Sequence, residues 1–150
     1  GAVAAGMIAD MNILMREVTA HTKILQLETN QPVPPNSIAK LMGVIMYQQK
    51  WFPMMTQVIL AGVENSKPAV YVLDPLGSVI PDEYATVGTG AELAIGVVES
   101  EYKQNLTEQE AVDLAIKSIR SAVNRDAASG DGIDILIVTE NEIREQSVKT

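Results

Sequence analysis

After Gly6, apolar residues recur at Met7, Met11, Leu14, Met15 and Val18, the three-and-four spacing that lays one stripe along a helix. Ile13, Ala20, Ile24 and Leu27 form a second stripe, so this helix calls for cover on two sides: its own sheet, and either another helix or a neighbouring subunit. Gln31-Pro32-Val33-Pro34-Pro35 ends it, because proline lacks an amide hydrogen and disfavours helix in the residue before it. A second helix is expected from a cap at Asn36 or Ser37 through Ile38, Leu41, Met42, Ile45 and Met46, with Pro53 closing it.

The period then changes. Residues 57–63 and 69–73 read as strands around a turn at 64–68, a hairpin, and Asp74-Pro75-Leu76-Gly77 is a further turn before a short strand at 78–80. Gly88-Thr89-Gly90 leads into a helix through Leu93, Val97 and Val98. Thr107 and Glu110 have capping-box spacing, followed by the stripe Val112, Ala115, Ile116, Ile119, Ala122 and Val123. A loop at 126–132 precedes a strand at 133–138, and 140–146 reads as a short terminal helix. Residues 1–6 read as a buried strand. Helices grouped in pairs, rather than alternating singly with strands, argue against a doubly wound sheet and for stacked layers. The expected fold is α+β, an αββα sandwich in a single domain over residues 1–150.

Composition narrows the function classes. The 150 residues are 47% hydrophobic and 20% charged, too apolar for a disordered chain, and contain no run of about 18 apolar residues that would span a membrane. Eleven basic against nineteen acidic residues give a net charge of −8 with no basic stripe, which disfavours nucleic acid and anionic membrane surfaces as partners. Zero cysteines exclude disulfides, thiolate zinc sites and a cysteine nucleophile, and agree with a reducing compartment. A single histidine, His21, leaves little for a serine triad or a multi-histidine metal site. The chain opens in mid-strand, without an initiator methionine or a signal-peptide basic region, and so reads as cut from something longer.

Several pieces together resemble the β-type subunit of the 20S proteasome, of the archaeal kind: Ala5-Gly6 with Asp10, the 54–62 approach to a strand, Asp74-Pro75-Leu76-Gly77, Gly88-Thr89-Gly90, and above all Arg125-Asp126-Ala127-Ala128-Ser129-Gly130-Asp131-Gly132-Ile133-Asp134. They extend over the whole chain in the family's order. The resemblance implies a four-layer αββα fold of the N-terminal nucleophile hydrolase type. It also implies a cytoplasmic threonine-type endopeptidase that needs no cofactor. Its nucleophilic threonine, with an aspartate and a lysine, would lie before the position matching Gly1.

By the same resemblance, Gly6 supplies an oxyanion-binding backbone amide, and Thr89, Asp126 and Ser129 hydrogen-bond around the threonine and its amine. Ala4 and Ile8 match substrate-channel positions, and a small Ala4 leaves room for a bulky apolar side chain, a chymotrypsin-like preference. The implied partners are other proteasome β subunits, α-ring subunits and unfolded polypeptide. Ala9, Met11 and Thr89 depart from the family's usual glycine, small residue and serine.

Plainer readings stand beside these. Gly6 also reads as a helix-entry turn, Asp126 and Ser129 as turn residues bonding their own backbone, and Thr89 as a cap. His21 reads as structural, and the methionines as core or interface. At the level of the protein, the alternatives are a β-ring subunit that shapes the chamber without cutting, and an unrelated small acidic α/β binding module. No metal site is assigned, although the Asp126 to Ser129 turn has carbonyl oxygens that could face a cation.

Overall fold

Residues Gly1–Ala85, with Val138–Asn141, form one structural unit, and Thr86–Ile137, with the chain from Glu142 onward, form a second; the computed structural model describes residues 1–149. The first unit contains β1 (Ala2–Gly6), α1 (Ile8–Thr29), α2 (Pro35–Gln48), β2 (Thr56–Glu64), β3 (Lys67–Leu73) and β4 (Val79–Asp82). The strands make an antiparallel sheet in the order β1-β2-β3-β4. Asn65 and Ser66, at φ 51° and 59°, supply the two left-handed residues of a tight hairpin turn between β2 and β3.

With no glycine or proline between Met7 and Gln31, α1 runs 22 residues before Asn30, at φ 53°, closes it in the left-handed conformation. Leu14 and Val18 from its first stripe are buried, whereas Ile13, Ile24 and Leu27 from the second are exposed in this chain. Helix α2 starts two or three residues earlier than a cap at Asn36 or Ser37 would allow. Pro35 opens it at a position where the missing amide hydrogen costs nothing, and the Pro34 carbonyl accepts from Ser37 and Ile38 at 3.0 and 3.2 Å in place of a side-chain cap. The helix is finished by Gln48, well before Pro53.

Leu14, Ala39, Met42, Met46, Val58 and Leu73 centre the core between these helices and the sheet. Two glycines let the layers close. A Cβ on Gly77, itself at φ 85°, would fall 2.3 Å from the Gly43 carbonyl oxygen, so α2 meets the β3–β4 turn backbone to backbone. Asp74 holds that turn by accepting from the Leu76 and Ser78 amides, both at 2.9 Å. Strand β1 is less buried than its composition suggests. It is the edge of this sheet among the described residues: Ala2 and Ala4 pack partly against the core, while Val3, on the other face, is 52% exposed.

The second unit contains α3 (Ala91–Glu101), α4 (Glu108–Val123) and a hairpin of β5 (Ile133–Val138) and β6 (Ile143–Val148). The capping box is complete: Thr107 Oγ1 accepts from the Glu110 amide at 3.3 Å, and the Thr107 amide donates to Glu110 Oε2 at 2.8 Å. Ala94 and Val98 of α3, with Val112 and Ala122 of α4, are buried. The segment 140–146, expected as a terminal helix, is instead the turn into β6 and the first four residues of that strand. Arg144-Glu145-Gln146-Ser147 offers no apolar stripe to hold a helix, whereas pairing with β5 satisfies its backbone and lets Ser147 Oγ donate to Asp134 Oδ1 at 2.6 Å. Helix pairs and antiparallel strands in one chain give an α+β fold, as the grouping of elements in the sequence predicts.

Candidate active site

Gly1 and Ala61 exchange both backbone hydrogen bonds, each 2.8 Å. In an antiparallel ladder such pairs alternate with pairs that exchange none. Following the register along β1, Val3–Ile59 and Ala5–Gln57 are bonded pairs, while Ala4–Val58 and Gly6–Thr56 are not. The Gly6 N–H therefore points away from β2 and is not consumed by the ladder. Thr56, opposite, is buried and directs its hydroxyl to the Ala5 carbonyl at 3.3 Å.

The chain turns from strand to helix at this point, and glycine is required for two reasons. Its φ of 131° is one that side-chain-bearing residues rarely adopt, and a Cβ there would lie 2.1 Å from the Met55 carbonyl oxygen. The Met7 amide donates to that same oxygen at 2.7 Å, and the Met55 amide donates to Asp10 Oδ2 at 2.8 Å. The result is an exposed main-chain donor on a braced backbone, the arrangement that stabilises negative charge developing on a substrate oxygen.

In the second unit a carboxylate gathers three donors. Asp126 follows α4, with its own amide still bonded to the Ala122 carbonyl at 2.7 Å. Its Oδ2 accepts from the hydroxyls of Thr89 and Ser129 at 2.5 and 2.6 Å, and its Oδ1 from the Ala128 amide at 3.2 Å. The Ser129 and Thr89 hydroxyls and the Ala128 amide hold the Asp126 carboxyl below the usual aspartate range, so it is anionic at neutral pH. Each hydroxyl spends its single hydrogen on Asp126 and keeps lone pairs free to accept. An anion fronted by two such oxygens suits an ammonium group. Gly90 makes the cluster possible, since a Cβ there would sit 2.7 Å from Ala122 Cβ and 3.3 Å from Asp126 Oδ2.

Of the residues singled out in the sequence, Thr89, Asp126 and Ser129 thus meet on one carboxylate. Gly6 and Ile8 flank the β1–α1 junction, with Ile8 71% exposed, and Ala4 is half-buried against the core of its unit. His21 is exposed, its Nδ1 lying 2.8 Å from the Glu17 carbonyl, a contact within its own helix. Among the described residues, no group of three or more His, Asp or Glu side chains is arranged to hold a metal ion.

Two contributors were not assigned a role from the sequence. Asp10 is the acidic residue in the first turn of α1, a position that usually signals only a favourable helix start. Gly90 is the second glycine of Gly-Thr-Gly, where tight packing beside a polar loop was the available signal.

A family profile described as "Proteasome subunit" matches residues 1–138. The chain is 52% identical over 145 residues to the protein named proteasome subunit beta 1 of Nitrosopumilus maritimus (strain SCM1), covering 97% of this chain and 73% of that relative. It is 52% identical to proteasome subunit beta 1 of Cenarchaeum symbiosum (strain A), over 97% of this chain and 75% of the relative. Proteasome subunit beta 2 of Pyrobaculum arsenaticum is 41% identical, over 97% of this chain and 71% of the relative.

Proposed function

Because this chain belongs to the proteasome subunit family, as a β-type subunit of the core particle, we propose that it forms part of a catalytically active threonine-type endopeptidase. Membership brings a protease family of hydrolases that assemble with other proteasome subunits, and it leaves the unrelated acidic binding module without support. The family match runs through both structural units, so residues 1–150 are read as one domain. In this reading the subunit sits in a heptameric β ring covered by α rings and cleaves unfolded polypeptide inside.

The observation that carries the catalytic reading is the convergence of Thr89 and Ser129 on an ionised Asp126. A threonine hydroxyl is a poor nucleophile until a neighbouring base takes its proton, and a free N-terminal amine can serve as that base. The threonine, with an aspartate and a lysine, would come from residues before Gly1. Its amine would rest against the acceptor oxygens of Thr89 and Ser129, which orient its lone pair toward the hydroxyl. As the threonine oxygen attacks a peptide carbonyl, the amine takes the proton. The carbonyl oxygen becomes an oxyanion facing the Gly6 amide. Collapse breaks the C–N bond, the amine returns the proton to the departing peptide, and water then cleaves the ester by the same route in reverse. Ala4 and Ile8 line the substrate channel in this reading, with backbone bonds at Ile8 adding the substrate as a strand.

The experiment is to assemble the full-length subunit with its partner subunits and treat the particle with a threonine-directed peptide electrophile. One adduct per active subunit by intact mass, together with peptide hydrolysis that the adduct abolishes, is the expected result. Particles that form but neither label nor hydrolyse would instead identify a ring subunit that shapes the chamber without cutting.

A further inference from the structure

Antiparallel pairing does not stop cleanly at Gly6. One step further, Met7 and Met55 would exchange two backbone bonds if the ladder continued. Only one is made, from the Met7 amide to the Met55 carbonyl at 2.7 Å. The Met7 carbonyl is already engaged by the Met11 amide at 3.1 Å, the first bond of α1. The switch from strand to helix therefore orphans the Met55 amide, and Asp10 Oδ2 takes the missing carbonyl's place at 2.8 Å. Asp10 lies in the first turn of α1, where an acidic side chain commonly engages the helix's own free amides, yet α1 has no side-chain cap and this carboxylate crosses to β2's approach instead.

The consequence reaches Gly6. Met55 is held at its N–H by Asp10 and at its C=O by Met7, and that carbonyl oxygen is the atom lying closest to where a Gly6 Cβ would be. The Gly6–Met7 segment rests against a peptide whose tilt Asp10 sets. Resting on the reading of Gly6 as the oxyanion donor, we infer that Asp10 is a positioning residue for the reaction. By capturing the Met55 amide it fixes the direction of the Gly6 N–H, without touching substrate. A charged acceptor suits the task, because the junction is exposed and water competes for the same amide.

The test uses full-length, assembled particles carrying D10A or D10N, with kcat and KM measured on a peptide substrate and exchange of the Met55 amide followed alongside. Small displacements of catalytic groups are expensive, about 100-fold per ångström, so a partial loosening in D10A should lower kcat about ten-fold with KM within about two-fold. D10N keeps a carbonyl oxygen as a weaker, neutral acceptor and should give a kcat between the two, about two- to three-fold below the parent. The Met55 amide should be most protected in the parent, less so in D10N and unprotected in D10A. An active parent with an unaffected D10A, a loss confined to KM, or an unprotected Met55 amide in the parent would each overturn the inference and leave the peptidase reading intact. Should D10A fail to assemble, D10N decides alone: its weaker neutral acceptor should give faster Met55 exchange and a lower kcat at constant KM, and values equal to the parent refute the role. A parent that neither labels nor hydrolyses removes the peptidase reading and the positioning role together.

Discussion

Replacing Gly6 by alanine tests the oxyanion donor with a single methyl group. The added carbon would lie 2.1 Å from the Met55 carbonyl oxygen and 2.9 Å from Thr56 Cα. Side-chain carbons do not approach oxygen closer than 3.0 Å, so the carbonyl must retreat by about 0.9 Å or the Gly6 peptide must rotate. Retreat lengthens the 2.7 Å bond from the Met7 amide beyond useful range, a loss of about 0.5–1.5 kcal/mol. Alanine at a φ of 131° costs about 1–3 kcal/mol more. Either response swings the Gly6 N–H off the oxyanion, and loss of one such donor lowers kcat by about 10²–10³. Full-length particles carrying G6A should therefore assemble, melt a few degrees lower and turn over peptide substrate at least about a hundred-fold more slowly, with KM much less affected. Calorimetry and steady-state kinetics on the same preparation read both effects. Intact G6A particles with kcat within about three-fold of the parent would rule out Gly6 as the oxyanion donor.

Four other positions carry further outcomes. G77A forces a Cβ to 2.3 Å from the Gly43 carbonyl oxygen at φ 85° and should destabilise by about 2–4 kcal/mol. G96A, with nothing within 4 Å, should stabilise α3 by about 0.5–1 kcal/mol; equal melting temperatures for the two variants would contradict this account of the packing. T107A removes half of the capping box and should cost about 1 kcal/mol, read as faster amide exchange at Glu110 in the first turn of α4. Asp126 is more acidic in the folded chain than when unfolded, so its contribution to stability is complete above the ordinary aspartate pKa of about 3.9 and disappears as pH falls through the depressed native value. The stability difference between the parent and D126N should shrink across that acid window, and a difference that stays constant from pH 6 to about 2 would contradict it.

The elements were legible where one physical signal dominated. Thr107 and Glu110 announced a capping box that formed as read, and Asn65-Ser66 sat in a gap between two β-rich runs that had to turn. Asn36 and Ser37 misled because both are good caps, whereas Pro34 and Pro35 had already fixed the backbone that starts α2. Residues 140–146 misled because a short polar segment has no period of its own, and pairing with β5 decides its form. The candidate site divides in the same way. Thr89, Asp126 and Ser129 were legible only through the family resemblance, since on their own they read as a cap and as turn residues. The use made of Asp10 depends on a partner 45 residues away, the Met55 amide, whose need for an acceptor arises only once strand and helix compete for the Met7 carbonyl. Periodicity along the chain carries no trace of such a need. The close approach of Gly43 and Gly77 is equally hidden, since a glycine inside a helix reads as a weakness until the neighbouring backbone is in place.

The proposed peptidase assigns the oxyanion to the Gly6 amide and the threonine amine to the Asp126 cluster. A crystal structure of the full-length particle bearing a peptide boronate reads both assignments at once. The expected result is boron bonded to the N-terminal threonine oxygen, a boronate oxygen about 2.7–3.1 Å from the Gly6 nitrogen, and the threonine amine within hydrogen-bonding reach of the Thr89 and Ser129 hydroxyls. A boronate bound elsewhere, or one whose oxygens find no donor at Gly6, would contradict it.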